Sequence, residues 1–106
     1  MKDLSVGILN ELYGNLLTDR QREFVRSYYD YDLSLGEIAE QHGMTRQAVA
    51  DALRKGEHAL RNCEEQLGLM TKLGVIKRDV GELRSLLANG DIAGADRIAD
   101  SILRNL

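Results

Sequence analysis

Residues 35–54 read LGEIAEQHGMTRQAVADALR, and this stretch decides the fold. Ala39 is small where two helices must cross closely, Gly43 can take a positive φ in a tight turn, and Val49 suits a buried position early in the second helix. Their spacing of four and then six residues predicts a helix-turn-helix unit. An ordinary helical hairpin with a glycine turn is the alternative that the spacing leaves open.

Capping signals mark the start of both helices in this unit. Ser34 and Glu37 have the form of a capping box, and Thr45 is suited to cap the next helix. The first helix must be short because Gly43 interrupts it, whereas the second has no strong stop before Gly68. The apolar stripe predicted for the second helix comprises Val49, Ala52, Leu53, Leu60, Cys63 and Leu67.

Two further helices are predicted upstream, over residues 3–13 and 19–30. The first is expected to end near Gly14, where the left-handed conformation is tolerated, and the second begins at a capping box formed by Thr18 and Gln21. The apolar positions that recur at helical spacing in the first of these helices are Leu4, Ile8, Leu9 and Leu12.

Residues 69–106 have a different apolar pattern and are predicted to form a helical hairpin. Asn89 and Gly90 end its first helix, and Asp91 can cap the second. We therefore expect a helix-turn-helix domain over 1–68 and a C-terminal hairpin over 69–106. The hairpin could pack in cis on the first domain, or it could pair with a second chain as a homodimer. Its first helix carries a heptad stripe of Leu69, Leu73, Ile76, Val80, Leu83 and Leu87.

Composition agrees with an all-α protein with one modest core. The chain has 106 residues, 43% of them hydrophobic, with neither proline nor tryptophan. No run of eighteen apolar residues occurs and the N-terminus lacks the pattern of a secretory leader, so we expect a cytoplasmic protein without membrane insertion. Cys63 is the single cysteine and cannot form an internal disulfide.

Charge is unevenly distributed along the chain, whose net charge is −3. Residues 1–44 carry four basic and eight acidic groups, whereas residues 45–61 carry four basic and two acidic groups. The phosphate backbone of a nucleic acid favours a positive surface. The second of these segments, with a net charge of +2, is therefore the candidate binding element.

Three stretches also carry a family resemblance: LTDRQR at 17–22, DLSLGEIAE at 32–40 and TRQAV at 45–49. Together they resemble the YlxM family, whose helix-turn-helix is similar to region 4 of sigma-70-type factors, in the winged-helix-like class of DNA-binding folds. The resemblance covers about residues 4–69. It implies a DNA-binding protein linked to the signal recognition particle pathway, acting as an accessory or regulatory factor on the particle's GTPase or RNA.

The candidate nucleic-acid contacts follow from groove geometry. The first turns of a recognition helix face base edges, where arginine suits guanine and glutamine suits adenine, while flanking basic groups meet phosphates. A hydroxyl at a helix start can also bind phosphate. The alternative is a solvated face in which Asp51 and Glu57 neutralise the basic groups. The predicted nucleic-acid-binding residues are Ser34, Thr45, Arg46, Gln47, Ala50, Arg54, Lys55 and Arg61.

The tyrosines at positions 28, 29 and 31 could stack on unpaired RNA bases, although core packing is the simpler interpretation. Neither a phosphate-binding glycine loop nor a metal-binding histidine pair occurs, so no enzyme activity, metal or cofactor is expected. Two functions from different classes remain. One is a nucleic-acid-binding regulator. The other is a protein-interaction adaptor that binds the particle's GTPase or RNA without reading DNA.

Overall fold

The computed structural model describes residues 2–106, and this part of the chain contains six α-helices and no strand. The predicted all-α helix-turn-helix fold is confirmed. A 3-10 turn, Gly14–Leu16, follows the first helix, and a π-helical turn, Arg26–Asp30, follows the second. The helices are α1 (Ser5–Tyr13), α2 (Asp19–Val25), α3 (Leu35–His42), α4 (Arg46–Leu67), α5 (Leu69–Ala88) and α6 (Ile92–Arg104).

Local capping fixes most of the helix starts. Thr18 and Gln21 form the predicted capping box at the start of α2, and Asp91 caps α6 by accepting a hydrogen bond from the Gly94 N–H at 2.8 Å. Gly68 has a φ of 65° and ends α4 in the left-handed conformation, as predicted. These signals act over three or four residues, which is why the sequence alone reveals them.

The chain divides into two compact units, of which the first ends at Met70 and the second is Thr71–Leu106. In the first unit α1, α2 and α3 pack against α4. The assignment of 1–68 and 69–106 as separate domains stays a prediction, and Met1 lies outside the described residues. The buried hydrophobic core of the first unit comprises Val6, Leu9, Tyr13, Phe24, Val25, Ile38, Ala39, Val49, Leu53 and Leu60.

The prediction of which residues form the buried apolar face of α1 was wrong in part. Leu4 and Ile8 are 74% and 49% exposed, while Val6, Leu9 and Tyr13 are buried. Both sets have helical spacing, and the face that turns inward is the one that α4 covers. Periodicity alone does not choose between two overlapping stripes when each contains apolar residues.

Gly14 does not end α1 in the left-handed conformation, contrary to the expectation. Its φ is −56°, and the chain continues into the 3-10 turn. A Cβ atom at this position would lie 2.8 Å from Asn10 Oδ1 and 3.2 Å from Arg22 Cδ. Gly14 therefore lacks a side chain because Asn10 and Arg22 occupy that space, and not because a turn requires a positive φ there.

Two positions of α4 also differ from the predicted stripe. Leu67, at the C-terminal end of the helix, is 60% exposed. Gly56 is buried, and a Cβ atom there would lie 3.3 Å from Val25 Cγ2 and 3.4 Å from Gln21 Cβ. The glycine allows α2 to cross α4 closely, and this approach compensates for its helix-destabilising effect of about 1 kcal/mol.

The second unit is a helical hairpin with little buried side-chain surface. Residues 89–91 connect α5 to α6. Half-buried residues lie on one side of each helix, and Ala95 is the one buried hydrophobic residue found in this unit. The half-buried apolar residues are Val75, Ile76, Leu83 and Leu86 on α5, and Ile98, Ala99 and Ile102 on α6.

Within residues 2–106, none of the helices is both long enough and apolar enough to cross a membrane.

Candidate nucleic-acid interface

The α3–turn–α4 segment has the geometry that the sequence predicted. Ser34 caps α3, and Gly43 adopts φ 62°, ψ 36° between the two helices. The Met44 N–H then donates to the Ala39 carbonyl at 2.9 Å, which closes the turn. Ala39 and Val49 are both buried where the helices cross. The unit is therefore a helix-turn-helix, with α4 in the position of the recognition helix.

The first turn of α4 exposes the side chains that were predicted to read bases. The Thr45 hydroxyl accepts a hydrogen bond from the Ala48 N–H at 3.0 Å, so it serves as the helix cap. Arg46 and Gln47 are exposed, and Ala50 is half-buried. Among residues 2–106 the Arg46 guanidinium has no hydrogen bond or ion pair. Arg46 is thus a free cation at the start of the recognition helix.

Asp51 lies in the middle of the same surface and accepts hydrogen bonds from two of the side chains predicted to bind nucleic acid. Its Oδ1 accepts from Gln47 Nε2 at 3.0 Å and from Arg54 Nη2 at 2.8 Å. Arg54 and Asp51 are both more than half exposed at the side chain, so the contact is a solvated ion pair. Gln47 and Arg54 would have to leave Asp51, or share with it, to contact a nucleic acid. Lys55 is exposed and unpaired among the described residues.

Arg61 lies apart from the other candidates. Its Nη2 forms an ion pair with Asp3 Oδ2 at 3.2 Å, close to the start of α1. Fifteen residues of α-helix separate it from Arg46, a distance of about 22 Å at 1.5 Å per residue. Arg61 therefore lies about four helical turns beyond Arg46, and a nucleic acid would have to compete with Asp3 for its guanidinium.

Ser34 also has its polar groups in use. Its hydroxyl accepts from the Glu37 N–H at 3.1 Å, and its own N–H donates to Glu37 Oε1 at 3.0 Å. Hydrogen bonds from the Ser34 backbone and hydroxyl lower the pKa of Glu37, so this carboxylate is ionised at neutral pH. A phosphate approaching the N-terminus of α3 would meet that negative charge.

The tyrosine cluster is tied to the core by contacts that the sequence did not reveal. Tyr29 donates a short hydrogen bond to the Glu57 carboxylate, and burial together with Glu57 raises the pKa of its phenol. Lys2 Nζ lies 3.8 Å from the centre of the Tyr28 ring and donates to the Tyr28 carbonyl at 2.8 Å. Tyr31 is the member of the cluster that is largely exposed, at 64%. The core interpretation fits Tyr28 and Tyr29.

A second unpredicted network connects α1, α4 and the start of α5. The Tyr13 hydroxyl donates to Glu64 Oε1 at 2.8 Å and accepts from the Leu69 N–H at 3.0 Å. The same Glu64 oxygen accepts from the Met70 N–H at 2.8 Å. These two bonds satisfy the first N–H groups of α5. Tyr13 is 56 residues from Leu69, so no local signal could have found it, whereas Glu64 is six residues from Met70.

The remaining reactive groups have structural surroundings. His42 packs edge-on against the Phe24 ring, with centroids 5.0 Å apart. Cys63 is half-buried against the core of the first unit. Across residues 2–106, no group of three or more histidine, cysteine, aspartate or glutamate side chains is placed to hold a metal ion.

The fold and the exposed start of α4 define a helix-turn-helix protein. A family described as "Putative helix-turn-helix protein, YlxM / p13 like" matches residues 1–89, and the chain belongs to this family, UPF0122. A UPF0122 protein of Desulforamulus reducens is 50% identical over 82 residues, which cover 77% of this chain and 70% of the relative.

Two other relatives cover nearly the whole chain. A UPF0122 protein of Symbiobacterium thermophilum is 41% identical over 98 residues, with 92% of each chain covered. One from Geobacillus kaustophilus is 37% identical over 105 residues, or 99% of this chain and 94% of the relative. The resemblance to the YlxM family inferred from the sequence is thereby confirmed.

Proposed function

We propose that this chain is a nucleic-acid-binding regulatory protein that places the N-terminal turns of α4 in the major groove of duplex DNA. The observation that carries the proposal is Arg46. It is exposed, it has no polar partner within residues 2–106, and it begins the recognition helix directly after the capped turn. Such a guanidinium can donate two hydrogen bonds to a guanine edge.

The side chains next to Arg46 are proposed to contact different parts of the DNA. Gln47 and Ala50 lie on the turns next to Arg46, where an amide can read adenine and a methyl group permits close approach. Lys55 and Arg54 lie two turns further on and would meet phosphates. The Thr45 hydroxyl holds the cap, so its contribution to binding is to fix the helix start.

The resemblance to the YlxM family extends the proposal to a cellular role. We place the protein in the cytoplasm as an accessory or regulatory factor of the signal recognition particle pathway. In this role it binds DNA or the particle's RNA and performs no catalysis. The family's helix-turn-helix description supports the nucleic-acid part of this proposal.

A protein-interaction adaptor is the second candidate, and Asp51 is the observation that favours it. Its carboxylate lies within the predicted reading surface and holds both Gln47 and Arg54. Carboxylates repel phosphates, whereas a protein partner such as the particle's GTPase could accept the same mixed charges. In that case the fold would serve as a docking scaffold.

Fluorescence anisotropy with Arg46→Ala separates the two candidates. The ligands are random duplex DNA, signal recognition particle RNA and an unrelated structured RNA, each across a salt series. If α4 binds DNA, duplex affinity falls steeply with salt, and Arg46→Ala weakens binding and reduces the slope of log K against log salt by up to about 0.9, because one cationic contact is lost.

Arg97→Ala is the matched control, because Arg97 is an exposed arginine of α6 without a partner among the described residues. It should leave affinity nearly unchanged. Absence of salt-sensitive binding to any of the three polymers would reject the proposal and support the adaptor. A preference for the particle's RNA would keep nucleic-acid binding and reject the duplex as target.

A further inference from the structure

The exposed side of α4 continues beyond the residues that are proposed to contact DNA. His58 lies one turn beyond Arg54 and Lys55, and its spacings of four and three residues make it a neighbour of both on the helix surface. All three side chains are exposed, and together with Asp51 they line one shallow depression of about 510 Å³. Side chains of a helix lean toward its N-terminus, so the His58 imidazole is directed at the turn that carries Arg54 and Lys55.

The helical neighbours of His58 are mostly cations. Three and four residues away from it lie Arg54, Lys55, Arg61 and Asn62, of which three are basic and none is acidic. His58 itself has no hydrogen bond or ion pair among residues 2–106. It is therefore an exposed imidazole without a partner, in surroundings that favour an anion.

The carboxylates of α4 that could neutralise this surface are already engaged. Glu57 accepts the hydrogen bond from the Tyr29 hydroxyl, and it lies about 100° around the helix from His58. Asp51 is paired with Arg54 at 2.8 Å. The sequence alone counted Glu57 against the basic groups, but its contact with Tyr29 turns it away from them.

From outside α4, Asp3 is the charged group that contacts this row of cations within the described residues. It forms its ion pair with Arg61 at 3.2 Å. The helices α1, α2 and α3 pack against the buried side of α4, roughly opposite His58. Each of the two arginines thus has one aspartate, whereas Lys55 and His58 have none.

We propose that His58 is a further phosphate-binding residue of α4, and that it binds duplex DNA in its protonated form, so that DNA binding takes up a proton. An imidazolium donates charge-assisted hydrogen bonds to phosphate oxygens. A neighbouring anion favours the charged form of an imidazole, and histidine is the side chain that ordinarily changes charge between pH 5 and 8. The inference rests on the proposed function, because it requires α4 to face the phosphates of DNA.

Fluorescence anisotropy of labelled random duplex DNA at about pH 5.5 and about pH 7.5, each across a salt series, tests the proposal. The unaltered chain should bind about 2- to 5-fold more tightly at the lower pH, as expected for one exposed ionic contact. Its slope of log K against log salt should also be steeper there by up to about 0.9, because one more phosphate is neutralised.

Two replacements of His58 separate its charge from its presence. His58→Gln keeps a polar side chain that does not titrate, so both differences between the two pH values should disappear. His58→Lys carries a fixed positive charge, so it should bind at the higher pH about as tightly as the unaltered chain binds at the lower pH. Because His58 is exposed, neither substitution removes a buried contact.

His42→Gln is the matched control, since His42 is the other histidine of the chain. It lies half-buried at the end of α3 against Phe24, so the pH response should persist in this variant, with circular dichroism confirming that it is folded. Absence of salt-sensitive binding at both pH values would overturn the proposed function and this inference together. Salt-sensitive binding that is equal at both pH values, or whose pH response survives in His58→Gln, would overturn this inference alone.

Discussion

Replacing Asp51 with alanine should tighten binding to duplex DNA if α4 is the reading element. The substitution removes the only carboxylate found between Arg46 and Lys55, and it releases Gln47 and Arg54 from their contacts at 3.0 and 2.8 Å. The net charge of residues 45–61 rises from +2 to +3. Alanine also favours the helix, so α4 should remain folded.

Two contributions set the expected size of the effect. A carboxylate within about 4–8 Å of a phosphate is repelled by roughly 0.5–1 kcal/mol in water. An exposed arginine freed from its ion pair adds about 0.2–1 kcal/mol through a phosphate contact. Together these give about 0.7–2 kcal/mol, which corresponds to roughly 3- to 30-fold tighter binding. One additional neutralised phosphate should steepen the salt dependence of log K by about 0.9.

Fluorescence anisotropy of labelled random duplex DNA across a salt series measures both quantities. Asp96→Ala is the control, since Asp96 is an exposed aspartate of α6 and its removal changes the net charge equally. Equal tightening by both variants would assign the effect to net charge and not to α4. Unchanged affinity and slope for Asp51→Ala would refute the reasoning, because Asp51 would then not face phosphates.

Four further substitutions test the fold. Gly43→Ala should lower the free energy of unfolding by about 1–2 kcal/mol because the φ of Gly43 is 62°. Gly74→Ala, in an open helical position, should raise the free energy of unfolding by up to about 1 kcal/mol. Urea denaturation that gave both variants a shift in the same direction would contradict this reasoning. Gly56→Leu should lower the free energy of unfolding by about 1–3 kcal/mol, because the larger side chain forces α2 away from α4. An unchanged midpoint of thermal unfolding would count against the close crossing of these helices. Because the pKa of Tyr29 is raised in the folded protein, its contribution to folding stability is complete below about pH 10 and declines as the pH rises above 10. Tyr29→Phe should therefore flatten the alkaline loss of stability measured by urea denaturation.

The helix boundaries and the central turn were largely predictable from sequence. Thr18, Ser34 and Thr45 cap the helices that follow them, and Gly43 takes the positive φ that the motif requires. Each of these features depends on groups within a few residues of one another. A local pattern is therefore sufficient to specify them.

The candidate site was only partly predictable. The sequence placed Arg46 and Gln47 at the exposed start of α4, and it named Asp51 as a group that could neutralise this surface. It did not show that Asp51 holds Gln47 and Arg54 together, because competing side-chain contacts depend on rotamers in the folded helix. Nor did it show that Arg61 is held by Asp3, 58 residues away.

Tertiary structure alone decided which apolar residues are covered. The sequence gives α1 two overlapping stripes, and contact with α4 buries Val6 while Leu4 stays exposed. Packing likewise explains Gly14 and Gly56, which provide room for neighbours and not for turns. The sequence determines where this chain becomes helical, because helix caps act locally. Which residues are buried depends instead on which distant element packs against them, and that is a property of the assembled fold.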